Sequence, residues 1–133
     1  MYKLTILLLI FVLGCSNSIT IGQTNGEYKE VNAKILEARK FEHIGQKIVT
    51  TLVFNHIDIQ TAQNRMSLYI NSYHEKGTNG IDVLIDATSP LYDKIIEANP
   101  KALSMLTIYG TVNQYGNTYD RIYITPEKLI FKK

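Results

Sequence analysis

Leu106-Thr107-Ile108-Tyr109-Gly110-Thr111-Val112 alternates apolar and polar side chains, and Tyr119 to Thr125 does the same beyond Tyr115-Gly116-Asn117. A period of two is the signature of a half-buried strand, and two such runs around a glycine-containing turn read as a hairpin. The register that gathers most apolar side chains on one face sets Ile108 against Ile124, Gly110 against Ile122 and Val112 against Asp120. A slip by one residue would scramble that face. The other face then pairs Tyr109 with Tyr123, Thr111 with Arg121 and Asn113 with Tyr119. A three-residue loop with one residue in the left-handed region fits this register. Pro126 is expected to break the second strand, leaving Leu129 to Phe131 as a short terminal one.

Upstream, Ser89-Pro90 opens a helix. Serine suits the N-cap, and proline at the first helical position loses no hydrogen bond. Leu91, Ile95 and Ala98 share a face, and Pro100 stops the helix at Asn99. Ile81, Val83 and Ile85 alternate with Asp82, Leu84 and Asp86, a strand. Arg65 to Tyr73 sets Met66, Leu68 and Ile70 against Ser67, Tyr69 and Asn71, and strand is preferred over the helical stripe Ala62, Met66, Ile70, Tyr73. Lys47 to Asn55 is the clearest strand, rich in β-branched residues. His43 to Gln46, Gln60 to Asn64 and His74 to Gly80 supply turns. Glu30 to Phe41 fits both periods. A strand bent near Leu36 is preferred, with Val31, Ile35 and Ala38 at helical spacing as the alternative.

Strands, then a helix, then two strands is a layout that resembles the OB-fold, and Leu106 to Val112 looks like its fourth strand. The resemblance covers about residues 28–131. It implies a mainly β fold, a small OB-like Greek-key barrel with one helix after the third barrel strand. An α+β two-layer fold is the alternative if residues 30–41 are helical. The fold by itself decides no function.

At the N-terminus, Met1 to Lys3 is positive and Leu4 to Leu13 is apolar except for Thr5, the pattern of a secretory signal. That run is too short to span a bilayer, which takes about 20 apolar residues. It ends at Val12-Leu13-Gly14-Cys15, which resembles the lipobox of bacterial lipoproteins. The resemblance implies removal of residues 1–14 and diacylation of the Cys15 thiol, so the membrane is a partner through that lipid. Residues 15–26 then form a lipidated tether and 27–133 a single domain. An alternative makes Ile19-Thr20-Ile21 a first edge strand. The implied location is the bacterial cell envelope, with the body facing periplasm or exterior. Ser16 stands where aspartate favours inner-membrane retention in some bacteria, which tilts the expectation to the outer membrane.

Removing residues 1–14 takes one lysine and leaves 13 basic against 12 acidic residues, a net charge of +1. Such a body has little electrostatic attraction for nucleic acid. Cys15 is the only cysteine, so no internal disulfide forms and packing alone must hold the fold. His43, His56 and His74 lack metal-ligand spacing, and no metal or cofactor is expected. Asp82 and Asp86 share one strand face, read as a solvated outer face. No catalytic residue is named, since no serine lies in a nucleophile motif and no phosphate loop is present. The candidate binding face is Tyr109, Thr111, Asn113, Tyr119, Arg121 and Tyr123, tyrosines around an arginine that suit stacking. The expected function is a binding module for another envelope protein or a cell-wall component. The alternatives are a small envelope enzyme and an oligonucleotide- or oligosaccharide-binding domain.

Overall fold

The computed structural model describes residues 18–62, 64–74, 80–116 and 121–132. Strands β1 (Ser18–Gly22) and β2 (Lys29–Glu30) precede a short helix, α1 (Ala33–Ala38), and a 3-10 turn (Lys40–His43). Strands β3 (Lys47–Ala62), β4 (Arg65–Tyr73) and β5 (Ile81–Asp86) follow. Helix α2 (Leu91–Ala98) then leads to β6 (Met105–Gln114) and β7 (Ile122–Lys132).

Five of these strands close on themselves. β3 pairs antiparallel with β4 and with β6, β4 with β5, and β6 with β7, while β5 joins β7 in parallel. This is the OB-like barrel, with α2 between its third and fourth strands. Closure removes the open edges that would otherwise invite pairing with other chains. β3 runs for 16 residues because it serves two partners. Lys47 to Val53 lie on β6 and Val53 to Ala62 on β4, with an irregularity between Phe54 and His56 where the strand turns from one to the other.

Alternate residues of every barrel strand fill the interior, among them Ile48, Leu52, Leu68, Ile70, Val83, Ile85, Leu106, Ile108, Val112, Ile124 and Leu129. Each such side chain contributes about 1.5–3 kcal/mol by leaving water. Leu91, Tyr92 and Ile95 bury one face of α2. Ser89 acts as its cap: the hydroxyl accepts from Leu91 N at 3.2 Å, with Pro90 just before the first helical residue. Asn99 ends the helix in the left-handed conformation, φ 44°, before Pro100.

Four expectations are corrected. The segment from Glu30 to Phe41 is not a bent strand: Asn32 caps α1 by accepting from Lys34 N and Ile35 N, and helical spacing buries Ala33 and Leu36. The barrel still forms, because α1 packs beside it. The hairpin register is displaced: Val112, not Ile108, faces Ile124, and Gly110 faces Pro126. Pro126 does not break β7. It occupies a bulge, where the pairing passes from Tyr109–Lys128 to Gly110–Pro126 and leaves Glu127 as the extra residue. A Cβ on Gly110 would stand 2.4 Å from the Thr125 carbonyl oxygen, so the approach there requires glycine. Finally, Ser18 to Gly22 is no tether. It pairs antiparallel with Lys128–Lys132 and buries Ile21, so the ordered body begins before residue 27.

Candidate functional site

β5 sends Ile81, Val83 and Ile85 into the core, which turns Asp82 outward. Outward is not exposed here. Asn71 of β4 and Tyr123 of β7 flank Asp82 in register, and it retains only 8 % of its accessible surface. The expected solvated face is therefore corrected at this position. A carboxylate at that depth needs partners, since burying an unpaired charge is costly. Arg121 Nη2 donates to Asp82 Oδ2 at 2.5 Å, and the Tyr115 hydroxyl donates to the same oxygen at 3.2 Å. The Tyr115 and Tyr123 rings meet at 4.7 Å between centroids, and the Arg121 guanidinium carbon lies 5.9 Å from the Tyr115 ring centre. Burial first, and then the negative charge of Asp82, push the Tyr115 phenol well above its ordinary range. At neutral pH it is a fixed hydrogen-bond donor.

Asp82, Tyr115 and Arg121 help to wall a cleft of about 350 Å³. Tyr69 and Asn71 come from β4, and Asp58 and Gln60 from the distal half of β3. Asn55 Nδ2 donates to Asn71 Oδ1 at 3.2 Å, and His56 Nε2 lies 3.0 Å from Asp58 Oδ2. The Arg121 side chain is 64 % exposed although its carboxylate partner is buried. It also borders a second cleft, of about 420 Å³, with Glu37, Lys40, Gly80, Ile81 and Ile122. The first cleft offers carboxylates, amides, phenols and one guanidinium around aromatic rings. That set suits a ligand rich in hydroxyl or amide groups.

The hairpin face expected from the sequence divides. Arg121 and Tyr123 belong to the cleft's cluster. Tyr109 does not face Tyr123: it lies opposite Lys128, whose ammonium stands 5.3 Å from its ring centre, and packs edge-on against Tyr28 at 5.3 Å. Thr111 pairs with Thr125 rather than Arg121. Asn113 faces Tyr123 and donates to Thr125 Oγ1 at 2.8 Å. Tyr119, like Cys15, the residue expected to carry lipid, lies outside the described residues. Tyr115, Tyr69 and Asn71 are not singled out by the sequence, and Asp82 is assigned there to a solvated face. The sequence places Tyr115 in the hairpin loop, and the signal it offers is an aspartate on a buried strand with an arginine to answer it.

The histidines have separate partners. His43 Nδ1 meets Gln46 Oε1 at 3.1 Å, His56 meets Asp58, and His74 pairs with Glu37. Among the described residues no group of three His, Cys, Asp or Glu side chains converges as a metal site would.

No family model and no curated protein matches this chain. Solved structures do. An OBody bound to hen egg-white lysozyme is 15 % identical, with a TM-score of 0.55 over 82 % of this chain and 96 % of its own. A second OBody bound to the same lysozyme is 13 % identical, with a TM-score of 0.52 over 68 % of this chain and 84 % of its own. A Leishmania major Friedlin chain named as an aspartyl-tRNA synthetase is 9 % identical, with a TM-score of 0.55 over 80 % of this chain and 21 % of that one. At these identities the likeness is one of fold. The molecule is thus an OB-like barrel with a polar, aromatic-walled cleft on its outer surface.

Proposed function

We propose that this chain is a bacterial envelope lipoprotein, anchored through Cys15, whose barrel binds another envelope protein or a cell-wall component in the cleft around Asp82. One observation carries the binding reading: a buried carboxylate is held by Arg121 and Tyr115 at the rim of an open cleft. A pair serving packing alone would have no need of an open volume beside it. Asp58 and Asp82 in the lining, with a net charge of +1 after processing, speak against a phosphate backbone as the ligand. The anchor reading rests on the lipobox resemblance and on a cysteine that occurs once in the chain, at the end of the apolar run.

Crosslinking in native envelopes tests the binding reading. Wild type should capture a wall fragment or an envelope protein that Arg121→Ala and Asp82→Asn lose while both remain folded. Equal capture by all three removes the cleft from binding. Mass spectrometry of the mature N-terminal peptide tests the anchor: acyl mass on Cys15 is expected, and an unmodified terminus beyond it refutes the reading.

A further inference from the structure

Ser18 is three residues from Cys15, and three residues of fully extended chain reach about 10 Å at most. An anchor on Cys15 therefore holds one particular end of the barrel at the membrane. That end is defined by register. Ser18 lies opposite Lys132 on β7, Lys132 opposite Met105 on β6, and Met105 opposite Val53 on β3. Neighbouring strands are about 5 Å apart, so Met105 is within roughly 10 Å of Ser18.

This end of the barrel exposes two large apolar side chains close together. Met105 is 44 % exposed, and Leu103, two residues before it, is 64 % exposed. Leu103 also has φ 70°, a left-handed conformation that glycine or asparagine adopts at far lower cost. Asn64 and Asn99, the other described non-glycine residues with positive φ, follow that preference, and Leu103 does not. Its backbone is pinned there, because Leu103 N donates to Phe54 O at 2.8 Å. Lys101 and Lys132 are exposed beside the two apolar side chains. Apolar side chains flanked by lysines complement a bilayer whose headgroups are anionic.

We propose that the barrel rests end-on on the bilayer that carries its anchor, with Leu103 and Met105 dipping below the headgroups and Lys101 and Lys132 at the phosphates. This rests on the lipid-anchor reading. It follows that the loop bearing Tyr115 and Arg121, at the far ends of β6 and β7, is presented away from the membrane.

The chain has no tryptophan, so a single introduced one reports its own depth. The test uses the full-length, processed protein, with Cys15 acylation checked by mass spectrometry, in phosphatidylethanolamine–phosphatidylglycerol vesicles with brominated acyl chains. Leu103→Trp and Met105→Trp place the probe at the proposed seat. Ile44→Trp places it beside Val112, seven residues further along β6, because Gly45 N donates to Val112 O. Bromine quenching at 103 and 105 should exceed that at 44 by about threefold or more, as a side chain buried at the headgroup boundary requires. Acylated, vesicle-bound protein with equal quenching at all three positions overturns the seat and leaves the anchor intact. An unmodified Cys15 with protein remaining in solution removes both readings.

Discussion

Two clusters on the outside of the barrel use the same materials, tyrosines, a carboxylate and cations, to opposite effect. Around Glu127, the Tyr28 hydroxyl donates to Oε2 at 2.6 Å and Lys47 Nζ lies 3.4 Å from Oε1. Lys47 also donates to the Asn25 carbonyl at 2.6 Å, and Asn25 N donates to the Tyr28 oxygen at 2.9 Å. Nearly every polar group there is consumed in fastening the chain from Asn25 to Tyr28 onto the bulge of β7. Around Asp82, two donors converge on a buried carboxylate, but Arg121 remains largely exposed and Tyr69 and Asn71 face open volume. The residue types are therefore no guide to role. On the proposed binding reading, what separates a fastening from a binding surface is how much hydrogen-bonding capacity is left over once the fold is satisfied.

The most damaging way to break the comparison is to remove the floor the two share. Ile108 is fully buried on β6, beside Tyr109. Ile108→Ala should cost about 2–5 kcal/mol in urea unfolding, from lost transfer energy and the cavity left behind. A cost below 1 kcal/mol, about what a surface position gives, would show that the inward face is misassigned. Next come single deletions in each cluster. Arg121→Ala leaves Asp82 buried with Tyr115 as its remaining donor and should cost about 1–2 kcal/mol, discounted because the guanidinium is exposed. Tyr28→Phe loses two hydrogen bonds, the one to Glu127 and the one from Asn25 N, and should cost about 1–2 kcal/mol. The consequences should then part. Arg121→Ala should lose crosslinked partner, whereas Tyr28→Phe should keep it and instead become quicker to cleave by protease between Gln23 and Tyr28. If Tyr28→Phe loses the partner as well, the two clusters are one surface.

The hairpin shows what a sequence can and cannot convey. Alternation assigned Ile108, Val112, Ile122 and Ile124 inward, and all four are buried. From Gly110 to the loop the partners nevertheless differ by four residues from those expected, an even displacement that keeps every side chain on its face. Beyond the Glu127 bulge they differ by five, the bulge absorbing the odd residue. Alternation determines parity, while phase depends on the loop and on the Glu127 bulge, whose only local mark is Pro126. The barrel was legible as well, because residues 47–55, 65–73, 81–86, 107–114 and 119–125 all alternate and one helix stands between the third and fourth of them. Residues 33–38 were misread because alternation and helical spacing coincide there, and the deciding signal was the Asn32 cap. The cleft was largely illegible: Asp82 alternates like a solvated residue, and only the curl of the sheet brings Tyr115 and Arg121 over it.

A smaller effect sharpens the account of the cleft at alkaline pH. The neutral Tyr115 phenol is favoured by burial and by Asp82, so its folded pKa lies above the unfolded value near 10. The stabilisation is whole below that unfolded value and is lost as pH rises through the raised one. Followed by phenolate absorbance, Tyr115 should titrate later than a tyrosine in the unfolded chain, and Asp82→Asn should bring it earlier. A Tyr115 that titrates at the unfolded value would mean that the cleft wall is wet.

The smallest effect compares the two aspartates of β5 themselves. Asp86 shares its strand face with Asp82, yet its partners are local. Thr88 N donates to Oδ1 at 3.0 Å, the Thr88 hydroxyl at 2.9 Å, and Arg65 reaches Oδ2 at 3.1 Å. The Thr88 backbone bond, then its hydroxyl, then the Arg65 charge hold the Asp86 carboxyl below the usual carboxylate range. A lowered folded value contributes stability that is present above the unfolded pKa and lost as pH falls through the folded one. Because Asp86 lies in water, that contribution should be slight. Thr88→Ala removes the hydroxyl but keeps the N–H, so carboxyl carbon NMR should show the Asp86 pKa rising only part of the way. Stability at neutral pH should be almost unchanged. Asp82→Asn, by contrast, should disturb Tyr115 and the cleft at every pH. If Thr88→Ala alters partner capture as strongly as Asp82→Asn does, the binding surface runs down β5 to its end, and the division between a working and a merely capped aspartate fails.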